Sequence, residues 1–144
     1  MRDESFVDTS ILVYIFDSTD SRKHSIGLEF LGQVDKVEMH PFLSNQILGE
    51  LYNVLTKKIA SPMQAGQAAE IVKGFIDSHK WNKLNYTYAT VGKALLLSSA
   101  YKIPIWDSVI AETMKENSIT TILTENTKHF DGIPGIKAIN LFKQ

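Results

Sequence analysis

The stretch "FVDTSILVYIFD", residues 6–17, places one aspartate, Asp8, among Phe, Val, Ile, Leu and Tyr. A carboxylate in such company costs several kcal/mol if it is buried without a partner. Asp8 also marks a change of period: "SFV" before it reads as the end of a strand, and "TSILVYIF" after it turns into a helix. Asp8 therefore sits where a strand ends, and in open parallel sheets the carboxyl ends of strands are where ligands bind.

The chain onward repeats that alternation. "SRKHSIGLEFLGQV" spaces Ile26, Phe30 and Val34 four residues apart, which predicts a helix starting near Asp20 or Ser21. "VEMHPFLS" reads as a short strand, followed by a helix over "SNQILGELYNVLTKKI" that Ser44 caps. In "SPMQAGQAAEIVKGFI", Ser61 as N-cap, Pro62 at the first helical position and Gln64 completing a capping box predict the next helix start. "KWNKLNY" is a weak strand signal, "ATVGKALLLSSAY" and "IWDSVIAETMKE" are helical, "ITTILT" is a strand, and "IKAINLF" is a last, edge-like strand. Strands alternating with helices predict an α/β domain with a central, mainly parallel sheet flanked by helices.

Composition narrows the class. The 144 residues are 44% hydrophobic and 22% charged, with a formal net charge of −1 and no cysteine. These values fit one globular domain spanning residues 1–144. The start "MRDESF" lacks an apolar signal core, and the run "ILVYIF" is too short to span a bilayer, so a soluble, cytoplasmic protein without membrane contact is expected. Bulk polyanion binding is disfavoured by the near-zero charge, although 13 of the 15 basic residues are lysines and a local basic patch is compatible with it.

Two more acids resemble Asp8 in their placing. At about 100° per helical residue, Glu50 projects about 40° from Val54, on the border of the apolar arc of Ile47, Leu51, Val54 and Leu55. Asp107 lies about 20° from Met114, in the first turn of its helix, where the peptide dipole also favours a negative charge. Taken singly, each acid has an ordinary explanation as a cap, a helix-terminus charge or a half-exposed helix residue. Together they are three acids from separated segments at apolar borders, in a chain with two arginines, Arg2 and Arg22. Converging unpaired carboxylates repel and raise one another's pKa. A divalent cation relieves that repulsion, and oxygen ligands without Cys or paired His suit Mg²⁺ or Mn²⁺ better than zinc.

Four segments in order, "FVDTSILVYIFD", "LSNQILGELYNVL", "IPIWDSVIAETM" and "TILTENTKHFDGIPGIKAINLF", resemble the PIN domain family, most of all its VapC-type toxin ribonucleases, over about residues 5–142. The resemblance implies a PIN-like three-layer α/β fold and a metal-dependent endoribonuclease that leaves a 5′-phosphate and a 3′-hydroxyl. By position, Asp8, Glu50 and Asp107 correspond to the catalytic, metal-holding acids. Many family members carry an aspartate where this chain has Asn126, so either Asn126 or the neighbouring Glu125 fills the fourth position, and the number of Mg²⁺ or Mn²⁺ ions stays open. Thr9, Ser10 and Thr124 are expected to position the acids by hydrogen bonds. Lys57, Lys58, Lys102 and Lys128 are candidates to line an RNA path, against ordinary solvated lysines. Trp106 has a face to stack on a base, against a place in the core, which is the expectation adopted.

The resemblance further implies an RNA substrate, a small cognate antitoxin whose tail enters the acidic cleft, and a homodimer. Two alternatives share the fold: a housekeeping RNA-processing PIN nuclease, and a degenerate PIN domain that binds RNA or protein without cutting, which the retained acids oppose. A flavodoxin-like receiver module ranks lowest, since the chain has no glycine-rich phosphate loop and no early acidic pair.

Overall fold

The computed structural model describes residues 4–143. Its elements run β1 (Glu4–Val7), α1 (Thr9–Phe16), α2 (Ser21–Asp35), β2 (His40–Ser44), α3 (Asn45–Lys57), α4 (Ala65–Asp77), β3 (Asn82–Leu84), α5 (Tyr88–Tyr101), α6 (Ile105–Glu116), β4 (Thr121–Leu123), α7 (Thr127–Phe130) and β5 (Lys137–Ile139). The five strands form one sheet in the order β3-β2-β1-β4-β5. All neighbouring strands are parallel.

Parallel pairing demands a crossover between neighbours, and the helices supply it. Ser5, Phe6 and Val7 are buried in succession, so both faces of β1 are covered. Phe6 sits at the centre, level with Phe42 of β2 on one side and Ile122 of β4 on the other. α1 then packs across α2 and α3, and its apolar side chains Ile11, Leu12 and Ile15 complete the core. The close approach of α2 to α1 requires Gly27, because a Cβ there would stand 3.2 Å from the backbone nitrogen of Ile15.

The chain leaves β1 towards β2 and β3, then returns to lay β4 and β5 on the opposite side of β1. The strand order therefore reverses between β1 and β4, and a crevice opens at such a switch point beyond the carboxyl ends of the strands. Asp8 follows β1 directly and Thr124 follows β4 directly. The two ends are laced together, with the Asp8 N–H donating to the Leu123 carbonyl at 3.0 Å.

Most expected elements are present, two expectations are corrected, and one short helix is added. The helix predicted at Ser61 begins instead at Ala65, with Gln64 as N-cap and no side-chain capping bond. The reason is a tertiary tie: the Met63 N–H donates to the Leu55 carbonyl at 2.8 Å, holding this segment against the end of α3. Trp106 is not a core residue but is 52% exposed. The single turn of α7 within "TENTKHF" was not foreseen, since four residues are too few to show a period. Among the described residues, no helix is long and apolar enough to cross a membrane.

Candidate active site

A cleft of about 300 Å³ lies at the switch point, lined by Asp8, Glu50, Asp107 and Asn126 together with Thr9, Ser10, Val13, Asn53, Val54 and Lys58. The three acids singled out in the sequence therefore line one cleft, Asp8 from the junction of β1 and α1, Glu50 from α3 and Asp107 from α6.

Asp8 occupies the N-cap position of α1, yet its side chain makes no capping bond. That removes the ordinary explanation for it. The residue is 5% exposed, and its Oδ2 accepts from Thr124 Oγ1 at 2.8 Å and from Ser10 Oγ at 3.0 Å. Burial pushes the Asp8 carboxyl above its usual range, the two hydroxyls pull it partly back, and the nearby charge of Asp107 pushes it up again.

Glu50 stands in the second turn of α3, a helix started by Ser44, whose hydroxyl accepts from the Ile47 N–H. Its Oε1 accepts from Thr9 Oγ1 and its Oε2 from Gln46 Nε2, both at 3.2 Å. Burial raises the Glu50 carboxyl as well, with a smaller upward push from the charges of Asp8 and Asp107. Asp107 lies in the first turn of α6, and its Oδ2 is paired with Nδ1 of His129 from α7.

Asn126 lines the cleft as the N-cap residue of α7. Its N–H donates to Thr124 Oγ1 at 3.0 Å, and the Glu125 N–H donates to Ser10 Oγ at 3.0 Å. Thr9, Ser10 and Thr124 thus bond to the acids and to the loop after β4. The Glu125 carboxylate turns away to Lys23 on α2, 2.5 Å from its ammonium, and does not line the cleft. Of the four candidate lysines, Lys58 lines the cleft while Lys57, Lys102 and Lys128 do not.

Sequence reasoning missed His129, Asn53 and Val54 as part of this region. Asn53 and Val54 were findable, because they follow Glu50 by three and four residues on one helical face, and Lys58 follows Val54 by four. His129 gave a weaker signal: it lies one turn beyond Asn126 only if "NTKH" is helical.

The donor set suits a hard divalent cation: three carboxylates and a side-chain amide, with no thiol. Among the described residues, no three His, Asp or Glu side chains stand close enough to ligate one ion directly as placed. Mg²⁺ typically keeps several of its waters and takes only one or two carboxylates, so acids set apart around a cleft fit its demands. Burial raises both Asp8 and Glu50, and neighbouring acid charge adds to it, Asp107 on Asp8 and Asp8 with Asp107 on Glu50, a repulsion that an added positive charge would relieve.

Solved structures with this fold include a toxin–antitoxin complex from Klebsiella pneumoniae, with a TM-score of 0.63, 20% identity, and coverage of 95% of this chain and 97% of that one. Mycobacterium tuberculosis VapC20, described as a sarcin-ricin loop cleaving toxin, superposes with a TM-score of 0.68 at 16% identity, covering 86% of this chain and 91% of that one. FitAB bound to an IR36 DNA fragment gives 0.63 at 14% identity, with 96% of each chain covered. At these identities the likeness is one of fold. No curated protein matches the sequence. The PIN domain family model, however, matches residues 5–135, which carry the whole acid cleft, and the chain belongs to the PIN domain family.

Proposed function

We propose that this protein is a divalent-metal-dependent endoribonuclease and the toxin of a toxin–antitoxin pair. The observation that carries the reading is Asp8: a buried, non-capping carboxylate facing Glu50 and Asp107 across one cleft at the switch point of a parallel sheet. Structural burial alone would not select three acids at the same crevice, since each raises the cost of the others. The likeness to VapC20, a sarcin-ricin loop cleaving toxin, and to a Klebsiella pneumoniae toxin–antitoxin complex supports the reading.

Asp8, Glu50 and Asp107 would hold Mg²⁺ or Mn²⁺, with Asn126 contributing its amide oxygen at the fourth position. When bound, such an ion lowers the pKa of water and offsets charge that builds on a phosphate during hydrolysis. The chain's own residues supply orientation. Thr124 and Ser10 fix the Asp8 carboxylate, Thr9 and Gln46 fix both oxygens of Glu50, and His129 fixes Asp107. These bonds keep the acids in place before substrate arrives, so reorganisation does not add to the barrier. Lys58 on the cleft wall offers a positive charge to an RNA phosphate. Cleavage by an attacking water would leave a 5′-phosphate and a 3′-hydroxyl.

An antitoxin would silence the enzyme by covering the acids, and pairing of two copies as a homodimer belongs to the same reading. The site of action would be the cytoplasm, where RNA is available. A binding-only PIN domain finds support in Asn126, but the cleft retains the other three acids. The test is to incubate the purified chain with total RNA in Mn²⁺ or in chelator and to analyse product ends. New 5′-phosphates in Mn²⁺ and intact RNA in chelator are expected. Cleavage that persists in chelator, or ends that carry a cyclic phosphate, contradicts the mechanism.

A further inference from the structure

Beside the acid cleft lies a second hollow of about 310 Å³, walled by Asn45, Gln46, Gly49, Glu50, Tyr86 and Trp106. Glu50 belongs to both walls, so whatever fills the hollow touches the neighbour of a group bound at the acids. Trp106 precedes Asp107 directly, and half of its surface meets solvent. Its ring meets that of Tyr86 edge to face, with centroids 6.3 Å apart and planes at 77°. An edge-to-face pair leaves aromatic surface free, in contrast to a stacked pair.

The hollow is held in shape by hydrogen bonds. Asn45 Oδ1 accepts from the Tyr86 N–H at 3.0 Å and Asn45 Nδ2 donates to the Tyr86 carbonyl at 3.5 Å, tying the segment before α5 to the start of α3. Gln46 Nε2 donates both to Glu50 Oε2 at 3.2 Å and to the Trp106 carbonyl at 3.1 Å. Both partners are acceptors, so the amide can sit only this way round. Gln46 Oε1 is then left as a buried acceptor with no donor in the protein. Buried acceptors without partners are rare in folded proteins, and their partners are often waters or ligands.

We infer that this hollow is a nucleobase subsite, taking the base next to the scissile phosphate on the face of Trp106. This subsite rests on the nuclease reading of the adjoining cleft. A base has the flat π surface that a half-exposed tryptophan binds, and the shared Glu50 wall sets it one nucleotide from the acids. The unmatched group on Gln46 is an acceptor at the wall of the hollow, and every base carries an N–H donor able to meet it, so the stacking face of Trp106 rather than base identity defines the subsite.

The experiment titrates the full chain, in chelator so that nothing is cut, with single-stranded octamers of A, C and U while tryptophan fluorescence is read. Trp81 is 4% exposed and provides a shielded background, so a saturable change reports Trp106. Trp106→Leu should lose that change and bind the octamers roughly 5- to 100-fold more weakly, whereas Trp106→Phe, which keeps a ring, should stay close to the parent. Fluorescence that responds to no RNA overturns the subsite and leaves the hollow to a protein side chain. Unchanged affinity in Trp106→Leu overturns it as well, while leaving the nuclease reading intact. RNA-dependent quenching by a parent that cuts nothing would uphold the subsite and sink the nuclease reading instead.

Discussion

Replacing Asp8 by asparagine should make the metal-free protein more stable and the metal-loaded protein comparatively less so. The side chain keeps its shape, and an amide carbonyl has two lone pairs, enough to accept from both Thr124 and Ser10 as Oδ2 now does. What disappears is a negative charge whose burial outweighs those two bonds and pushes the carboxyl upward. A carboxyl held above its ordinary range in the fold lowers stability at neutral pH, so the metal-free variant should be the more stable of the two there. For a domain of this size each kcal/mol of that gain shifts Tm by about 2–4 °C. Mn²⁺ works against that order: at ten times Kd the parent gains about 1.4 kcal/mol, whereas a variant with tenfold weaker binding gains about 0.4. At higher Mn²⁺ the parent's advantage in gain levels off at about 1.4 kcal/mol, the limit set by a tenfold difference in affinity. Thermal melts of both proteins across a Mn²⁺ series, with NaCl at matched ionic strength, give the comparison. An Asp8→Asn protein that melts below the parent in chelator, or that gains as much from Mn²⁺, refutes the reasoning.

The same carboxyls set a pH dependence. Asp8 and Glu50 are raised from 3.8 and 4.5, so above those values the metal-free fold holds more protons than the unfolded chain. Stability should therefore rise as pH falls from neutral towards those values, and Tm should rise less in Asp8→Asn/Glu50→Gln. Asp17, lowered from 3.8 by its bonds from Thr19, acts oppositely but only below that range. A Tm that falls over this interval in parent and double variant alike would count against buried, charged acids. His129→Ala removes a partly exposed pair with Asp107, so stability should change by at most about 1 kcal/mol. Mn²⁺ affinity or cleavage rate should drop about 10- to 100-fold through loss of orientation, and calorimetry beside a melt separates the two. Asn126→Asp should tighten Mn²⁺ binding and lower metal-free stability, since it adds an anionic oxygen to the cleft wall. Glu125→Gln should leave Mn²⁺ affinity unchanged because its carboxylate faces Lys23, and a loss in titration would return Glu125 to the site.

What the sequence revealed and what it hid follow from range. Asp8 was legible because period and composition change at one residue, and the strand does stop at Val7 with a helix from Thr9. Glu50 and Asp107 were legible from helical arithmetic, which fixes a direction around an axis without fixing what lies there. The choice between Asn126 and Glu125 was not legible, because adjacent residues on a short loop diverge according to distant partners, here Lys23 on α2. The start of α4 failed for a similar reason: a good local capping pattern at Ser61 lost to a bond between Met63 and Leu55 from the preceding helix. Trp106 was placed in the core on apolarity, yet the first turn of α6 presents it beside Tyr86 at the surface. Apolar character alone does not separate a core residue from a binding surface.

The central claim is that Asp8, Glu50 and Asp107 act as one metal-dependent cutting site. It is tested most directly by the rate of single-stranded RNA cleavage in Mn²⁺ for the parent, Asp8→Asn, Glu50→Gln and Asp107→Asn, each matched to the parent by circular dichroism. Loss of cleavage in all three variants with the fold preserved is the predicted result. Cleavage at the parent rate by any one of them contradicts the shared site.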